Sequence, residues 1–440
     1  MKYYSTNNQA PIADLHKAVV KGLAEDRGLY MPEKINKLPK EFFDNIEKMS
    51  FQEIAYTVAS AFFGEDVDPD ALHDIVYDTL QFDCPVVNVK DNIYTLELFH
   101  GPTLAFKDVG ARFMARLLQY FIKQENNHKE VNVLVATSGD TGSAVANGFL
   151  GVDGIHVYVL YPKGKVSPIQ ECQFTTLGKN ITAIEVDGVF DDCQALVKNA
   201  FMDAELNEHM KLTSANSINV ARFLPQAFYY FNAYARMKEI ANTQHLSPNT
   251  QLVMCVPSGN FGNICAALFG HEMGLPIKRF IAANNANDIF YNYLQTGKYE
   301  PKPSKQTLAN AMDVGDPSNF ARIYDLYGKS HAKITSLISG ATYNDEQIKA
   351  TMRECYKDSG YILDPHGACG YQALKDGLQA GEVGVFCETA HPAKFKEKVD
   401  DILGIDVEIP ERLAAFMRGQ KQSVPMSKDF ADFKAFLMKQ

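Results

Sequence analysis

Lys107 is the residue of this sequence best placed for covalent chemistry. It follows Phe106 and a polar turn, and it begins a helix predicted by apolar residues at every fourth position from Val109 to Phe121. If its side chain faces a pocket, desolvation disfavours the ammonium form and leaves a neutral amine that can condense with an aldehyde. A solvated surface lysine is the alternative, because lysines are rarely buried without a partner. The local pattern leaves both interpretations open.

A glycine-containing turn is the second candidate. The segment VPSGNFGN, Val256 to Asn263, joins a predicted strand to a predicted helix. Glycines let the backbone approach a ligand, and the free N–H groups at a helix N-terminus favour a phosphate. The segment has neither the lysine of an ATP-binding P-loop nor the glycine spacing of a dinucleotide site. Such a turn can be purely structural, but its many polar residues favour phosphate binding.

Two further polar segments could bind anions. The segment ATSGDTGSA, Ala136 to Ala144, follows a predicted strand and offers hydroxyl and backbone N–H groups to a carboxylate. A helix N-cap formed by Ser138 or Asp140 explains the same pattern equally well. The segment Thr213 to Arg222 places amides beside an arginine, whose guanidinium can bind two oxygens of a phosphate or carboxylate at once.

The last candidate segment is FCETAHPAKF, Phe386 to Phe395. Thr389 lies just beyond the carboxyl end of a predicted strand, where doubly wound sheets place their ligands. We interpret His391 and Lys394 as a capped helix start with solvated charges.

The elements around these residues predict an α/β protein. Short, nearly continuous apolar strands alternate with helices from Val131 onward, which indicates parallel sheets covered by helices on both faces. Two such sheets with a cleft between them are expected. We predict a mainly helical N-terminal domain (1–95), a smaller α/β domain with Lys107 and the segment Ala136 to Ala144 (96–215), and a larger α/β domain with the glycine turn (216–440).

Composition narrows the class of protein. A chain of 440 residues with 46% hydrophobic residues can bury a large core. A net charge of −10 without basic patches argues against nucleic acid and anionic membranes as partners. Without a signal-like or membrane-spanning segment, a cytoplasmic location is expected. The eight scattered cysteines lack metal-site spacing, so we expect reduced thiols and no metal.

Five segments together resemble the threonine synthases, which are fold type II pyridoxal-phosphate (PLP) enzymes. In chain order they are HGPTLAFKDVGARF, ATSGDTGSA, NSINVARF, PSGNFGN and ETAHPAKF. The N-terminal segment YYSTNNQAPIADLHKAVVKGLAEDRGLYMPE also resembles the start of the longer threonine synthases. The similarity therefore extends from Tyr4 to about Phe395, and it implies the fold type II architecture of two α/β domains.

The resemblance implies a role for each matched residue. Lys107 would hold PLP as an aldimine, and Thr389 would place its hydroxyl at the pyridine nitrogen. The cofactor phosphate would be bound by Gly259, Asn260, Phe261, Gly262 and Asn263. The substrate would be bound by Ser138, Gly139, Asp140, Thr141, Asn216 and Arg222, with the last two near its phosphate. Asp140 stands where dehydratase-like relatives carry Asn beside the cofactor's O3′, which leaves the partner of O3′ open.

The implied reaction converts O-phospho-L-homoserine and water to L-threonine and phosphate. A threonine-synthase-like phospho-lyase, which would eliminate phosphate and release 2-oxobutyrate, is an alternative within enzymes. A non-catalytic α/β binding protein, with Lys107 as a surface residue, is the alternative of another class. The sequence leaves the oligomeric state open.

Overall fold

The computed structural model describes all 440 residues, whose strands and helices alternate along most of the chain. The strands are β1 Lys2–Ser5, β2 Ala13–Asp14, β3 Tyr30–Pro32, β4 Val86–Lys90, β5 Ile93–Glu97, β6 Val131–Ala136, β7 Ile155–Pro162, β8 Ile181–Val186, β9 Lys211–Ser214, β10 Gln251–Pro257, β11 Arg279–Asn284, β12 Ile338–Thr342, β13 Glu382–Glu388 and β14 Val424–Met426.

The α-helices range from one to five turns. They are α1 Leu15–Lys21, α2 Lys40–Asn45, α3 Phe51–Phe63, α4 Pro69–Thr79, α5 Lys107–Gln124, α6 Asp140–Phe149, α7 Pro168–Thr175, α8 Phe190–Met202, α9 Ala204–His209, α10 Val220–Phe223, α11 Ala227–Gln244, α12 Gly262–Glu272, α13 Ile289–Thr296, α14 Phe320–Leu326, α15 His331–Leu337, α16 Asp345–Ser359, α17 Pro365–Gly377, α18 Lys396–Leu403, α19 Glu411–Met417 and α20 Phe430–Leu437.

Two parallel sheets form the body of the protein, as the sequence predicts. The larger sheet has the strand order β12-β11-β10-β13-β5-β4, and only β4 runs antiparallel to its neighbour. The smaller sheet has the order β14-β8-β7-β6-β9 and is parallel throughout. Central strands such as β13 are buried along their whole length, which is why they lack the alternating pattern of a half-exposed strand. The α/β fold class is confirmed.

The N-terminal region is mainly helical. It contains α1 to α4 and a small antiparallel sheet with the order β2-β1-β3, whose strands the apolar periodicity did not reveal. Helix α3 is capped by a Ser50–Glu53 capping box, which satisfies backbone donors at both ends of that motif. Its buried face packs on α11 of the body of the protein.

Two segments cross the domain boundaries expected at 95/96 and 215/216. Strands β4 and β5 pair with the larger sheet, although most of both precedes residue 96. Strand β14 pairs with β8, and α20 packs on α8, so the C-terminal tail belongs to the smaller sheet. The division into 1–95, 96–215 and 216–440 stays a prediction, because sheet membership alone does not define independently folding units.

Two local predictions differ from the structure: the sequence pattern predicts one continuous helix from Val220 to Ala241 and a turn from Asp364 to Ala368. The helix expected from Val220 is divided into α10 and α11 by a 3-10 turn that contains Pro225, whose ring cannot continue a regular helix. The expected turn at Asp364 begins helix α17, because the Asp364 side chain accepts from the N–H groups of His366 and Gly367 as an N-cap.

No group of side chains in the structure is arranged to hold a metal ion. Nowhere do three or more His, Cys, Asp or Glu side chains gather as a metal ion would require. All eight cysteines are free, and all but the half-buried Cys172 are buried. None of the helices combines the length and apolar character needed to cross a bilayer.

Arg322 joins three parts of the chain. Its guanidinium is completely buried and donates to the Tyr30 carbonyl oxygen at 3.0 Å, to that of Ile218 at 2.5 Å and to Asn319 Oδ1 at 2.8 Å. The same group lies 4.0 Å from the centre of the Phe223 ring. Burial without a carboxylate partner lowers the pKa of Arg322 to about 10, which leaves it charged at neutral pH.

We expect Arg322→Met to lower the free energy of unfolding by about 3 kcal/mol, because two buried carbonyl oxygens lose their donors. The measurement is the midpoint of thermal unfolding by calorimetry. Arg418→Met is the control, since Arg418 is exposed and pairs only with Glu411, a kind of pair that contributes about 1 kcal/mol or less. Equal midpoints for the two variants would contradict this role of Arg322.

Candidate active site

One cleft lies where the carboxyl ends of strands from the two parallel sheets meet, the usual place for a ligand in such sheets. Its volume is about 390 Å³, and its wall includes the last residues of β6 and β10. All predicted site residues except Gly139 line it, namely Lys107, Ser138, Asp140, Thr141, Asn216, Arg222, Gly259, Asn260, Phe261, Gly262, Asn263 and Thr389. The individual roles of these residues stay predictions.

Lys107 opens helix α5 and extends into the cleft. Its Nζ forms no ion pair, and it lies 5.7 Å from the centre of the Phe106 ring. Desolvation lowers the pKa of Lys107 to about 8, helped by the positive charges of Arg222 and Lys394 and opposed by the Asp140 carboxylate. A substantial fraction of this amine is therefore neutral near pH 8, as a nucleophilic lysine requires.

The glycine turn presents unused backbone donors to the cleft. The N–H groups of Gly259, Asn260 and Phe261 find no acceptor in the protein. Those of Gly262 and Asn263 open helix α12, where no intrahelical acceptor exists. Five adjacent donors and the positive end of a helix dipole form a cradle for a phosphate.

A second loop, which contains Ala311 and Met312, lies directly against the glycine turn. A Cβ atom on Gly259 would lie 2.8 Å from the Ala311 carbonyl oxygen and 2.8 Å from Met312 Cα, so only glycine allows this approach. His366 fixes the loop, because its Nε2 accepts from the Ala311 N–H at 3.1 Å while its Nδ1 lies 2.5 Å from Asp364. His366 also lines the cleft, although nothing in the sequence distinguished it from an ordinary helix-start residue.

The loop before α6 offers donors from a different sheet. Thr137 Oγ1 accepts from the N–H groups of Gly139 and Gly142, which fixes the loop at the end of β6. Gly139 has φ 151°, in the region that favours glycine, and a Cβ atom on it would lie 2.7 Å from Gln170 Oε1. The N–H groups of Asp140 and Thr141 begin α6 and have no intrahelical acceptor, so they remain available to a carboxylate.

Arg222 is a second cation without a carboxylate partner. The residue is almost fully buried, its Nη1 donates to the Ala215 carbonyl oxygen, and its Nε has no partner in the protein. Burial lowers the pKa of Arg222 to about 10, so the guanidinium keeps its charge. Exposed Asn216 lies on the same side of the cleft. An unpartnered buried donor of this kind fits an anionic ligand group.

Thr389 follows β13 and is held by its backbone. Its carbonyl oxygen accepts from the Phe106 N–H at 2.8 Å, which places the residue beside the start of α5. The side chain lines the cleft, and its hydroxyl donates to no protein group. The hydroxyl is therefore free to face a ligand, as the resemblance implies.

The interpretation of Lys394 as a solvated charge was wrong. Its side chain is completely buried, with Nζ 2.6 Å from Asp140 Oδ1 and 2.8 Å from the Thr103 carbonyl oxygen. His391 does cap the short 3-10 helix Pro392–Phe395 by accepting from the Ala393 N–H, but burial lowers its pKa to about 4, so it too carries no solvated charge. Sequence reasoning missed Lys394 because its partner lies in the other sheet.

These features fit PLP. The cradle at Gly259 to Asn263 suits a phosphate, and Lys107 offers an amine that is unpaired and partly neutral. Thr389 offers a free hydroxyl to a ring nitrogen. Arg222, which has an unused donor, remains for a further anion. An aldehyde with one phosphate, together with a phosphorylated substrate, would use all of these groups.

Family models match the chain over nearly its whole length. Residues 82–387 match the model described as pyridoxal-phosphate dependent enzyme. Residues 2–80 match the threonine synthase N terminus, and residues 367–437 match the threonine synthase C-terminal model.

Individual relatives agree with the models. The threonine synthase of Serratia marcescens is 43% identical over 438 residues, which covers 100% of this chain and 99% of that protein. The crystal structure of threonine synthase from Escherichia coli superimposes with a TM-score of 0.90 at 43% identity, covering 100% of both chains. The PLP-bound threonine synthase of Brucella melitensis gives 0.93 at 33% identity, covering 100% of this chain and 99% of that one. The chain therefore belongs to the threonine synthase family of PLP-dependent enzymes.

Proposed function

We propose that this chain converts O-phospho-L-homoserine and water to L-threonine and phosphate, with Lys107 as the residue that binds PLP covalently. The observation that carries the proposal is the arrangement of the cleft. The cleft is lined by an unpaired amine with a pKa of about 8, by five unused backbone donors and by a guanidinium without a carboxylate partner. Each of these groups has a use in this reaction.

The cofactor would be held by three groups of residues. The N–H groups of Gly259 to Asn263 bind its phosphate, Thr389 hydrogen-bonds its ring nitrogen, and Lys107 anchors its aldehyde carbon. When bound, PLP supplies a ring that withdraws electrons from the substrate's Cα. A hydroxyl at the ring nitrogen, unlike a carboxylate, does not hold a proton there.

The substrate carries two anionic groups that need separate sites. Its carboxylate suits the loop of Ser138 to Thr141, where backbone N–H groups open α6. Its phosphate suits Asn216 and Arg222, because a guanidinium can donate to two phosphate oxygens at once. Both sites line the same cleft, and they follow the neighbouring strands β6 and β9 of the smaller sheet. Two separate anion sites would fix the direction in which the substrate binds.

Lys107 would also move protons. With PLP and substrate bound, the neutral Nζ of Lys107 would lie beside the substrate as a base. It would take the proton from Cα and, after giving that proton up, would take one from Cβ, while Arg222 would hold the phosphate that leaves from Cγ. The pKa of about 8 matches this work, since a base is most effective when its pKa lies near the working pH.

The first test is product identification. We expect the holoenzyme with O-phospho-L-homoserine to release threonine and phosphate in equal amounts, measured by amino-acid analysis and a phosphate assay. Release of 2-oxobutyrate without threonine would instead indicate a phospho-lyase.

The second test concerns the anchoring amine. Borohydride treatment of the PLP-loaded protein should fix a pyridoxyl group on the peptide that contains Lys107, detected by mass spectrometry. Lys107→Ala should lose both the label and all measurable threonine formation, because no other amine is held at that place. Lys123→Ala, near the end of the same helix, is the control and should behave as the wild type. A label on another lysine would overturn the assignment.

The third test separates substrate binding from cofactor binding. Arg222→Met should lower kcat/KM for O-phospho-L-homoserine by about 10- to 100-fold, since a charge-assisted hydrogen bond contributes about 1.5–3 kcal/mol. Pyridoxyl labelling at Lys107 should persist in this variant. An unchanged kcat/KM would remove Arg222 from the substrate site.

A further inference from the structure

The Asp140–Lys394 ion pair joins the two α/β sheets beneath the cleft. Asp140 follows β6 of the smaller sheet, and Lys394 follows β13 of the larger one. Their charged atoms are 2.6 Å apart, and both side chains are buried, with 0% of Lys394 and 7% of Asp140 exposed. A buried ion pair seldom adds net stability, because desolvation offsets the Coulomb attraction. A role other than stability therefore deserves a test.

Only one carboxylate oxygen of Asp140, Oδ1, is bound by other side chains. Its Oδ1 accepts from Lys394 Nζ and from Gln170 Nε2, the latter at 3.0 Å. Lys394 is in turn fixed by the Thr103 carbonyl oxygen at 2.8 Å. Asp140 Oδ2 forms no hydrogen bond or ion pair with the protein, and the residue lines the same cleft as Lys107. Two lysines therefore lie near one carboxylate, and only Lys394 is paired with it.

The pKa of Lys107 depends on the charged groups around it. Asp140 raises the pKa of Lys107, whereas desolvation, Arg222 and Lys394 lower it. Burial by itself would raise the pKa of Asp140. The positive charges of Lys394 and Lys107, and to a smaller extent His366, hold that pKa well below its ordinary value, so Asp140 stays ionised. Without Lys394, the Asp140 carboxylate would interact mainly with the other lysine that acts on it, Lys107.

We propose that Lys394 is a positioning residue: by pairing with Asp140 it withholds that carboxylate from Lys107 and leaves the Lys107 amine without an anionic partner. The proposal rests on the proposed role of Lys107 in binding PLP. It assigns a function to Lys394 at a distance from the reacting atoms, because the side chain is buried behind Asp140 and does not line the cleft.

The test measures how fast Lys107 captures an aldehyde at each pH. The full chain, freed of cofactor, is mixed with PLP and cyanoborohydride between pH 6 and pH 10, and pyridoxyl on the Lys107 peptide is quantified by mass spectrometry. We expect a wild-type midpoint near pH 8. Lys394→Met should raise the midpoint by about one unit or more, which means about tenfold less neutral amine at pH 7.

Further variants identify the cause of the shift. Lys394→Gln, which keeps a donor for the Thr103 carbonyl oxygen, should also raise the midpoint and serves if Lys394→Met folds poorly. Lys394→Arg should restore the wild-type midpoint, because the charge pair returns. The double variant Asp140→Asn with Lys394→Met should bring the midpoint back to the wild-type value or below. Lys398→Met is the control: Lys398 forms no ion pair, so this change should leave the pH midpoint unmoved.

The possible outcomes distinguish the proposed role of Lys394 from the proposed function of the enzyme. A purely structural role for Lys394 would lower the midpoint of thermal unfolding and slow labelling equally at every pH, without moving the pH midpoint. An unmoved pH midpoint in Lys394→Met or Lys394→Gln would overturn the proposal, as would a double variant that stays as high as the single one. A wild-type protein that captures no pyridoxyl at Lys107 would instead overturn the proposed function.

Discussion

The site depends on two cations that the protein leaves without a carboxylate partner. Lys107 and Arg222 both line the cleft, and neither forms an ion pair. Unpaired buried charge is costly, so such groups persist where a ligand supplies the missing charge. Because the whole chain carries a net charge of −10, anionic ligands gain nothing from its overall field and must be bound by local donors. In the proposed function, Lys107 binds the cofactor's aldehyde as a neutral amine, and the substrate's phosphate supplies the anion that Arg222 lacks.

The two-sheet architecture explains how such donors converge. Parallel strands end at one edge of a sheet, and the helices that follow them present free N–H groups toward that edge. The glycine turn follows β10 of the larger sheet, and the loop of Ser138 to Thr141 follows β6 of the smaller one. Lys107, at the start of α5, belongs to the crossover from β5 of the larger sheet to β6 of the smaller one. The donors proposed for the cofactor and those proposed for the substrate thus come from different sheets, and Lys107 lies on the connection between these sheets.

Local patterns could predict the sheets and most of the site, and the misses have physical causes. Strands β7 and β8 and the start of α5 follow from continuous apolar runs and helical spacing, which are properties of a few neighbouring residues. Lys394 and His366 could not be found this way. The position of Lys394 depends on a carboxylate more than 200 residues away in sequence, and that of His366 on the Ala311 N–H of a distant loop. The short strands β9, β12 and β14 are defined by their partners, so their own sequences carry little signal.

The pair of Asp140 and Lys394 also bears on the partner of the cofactor's O3′, which the sequence left open. An amide at position 140 would be neutral and could donate a hydrogen bond without help. A carboxylate at the same position brings a negative charge close to Lys107, and that charge would hold the amine protonated unless another cation neutralised it. Lys394 is that cation, buried where water cannot take its place. On this proposal, Asp140 and Lys394 act on the amine of Lys107 as a single electrostatic unit.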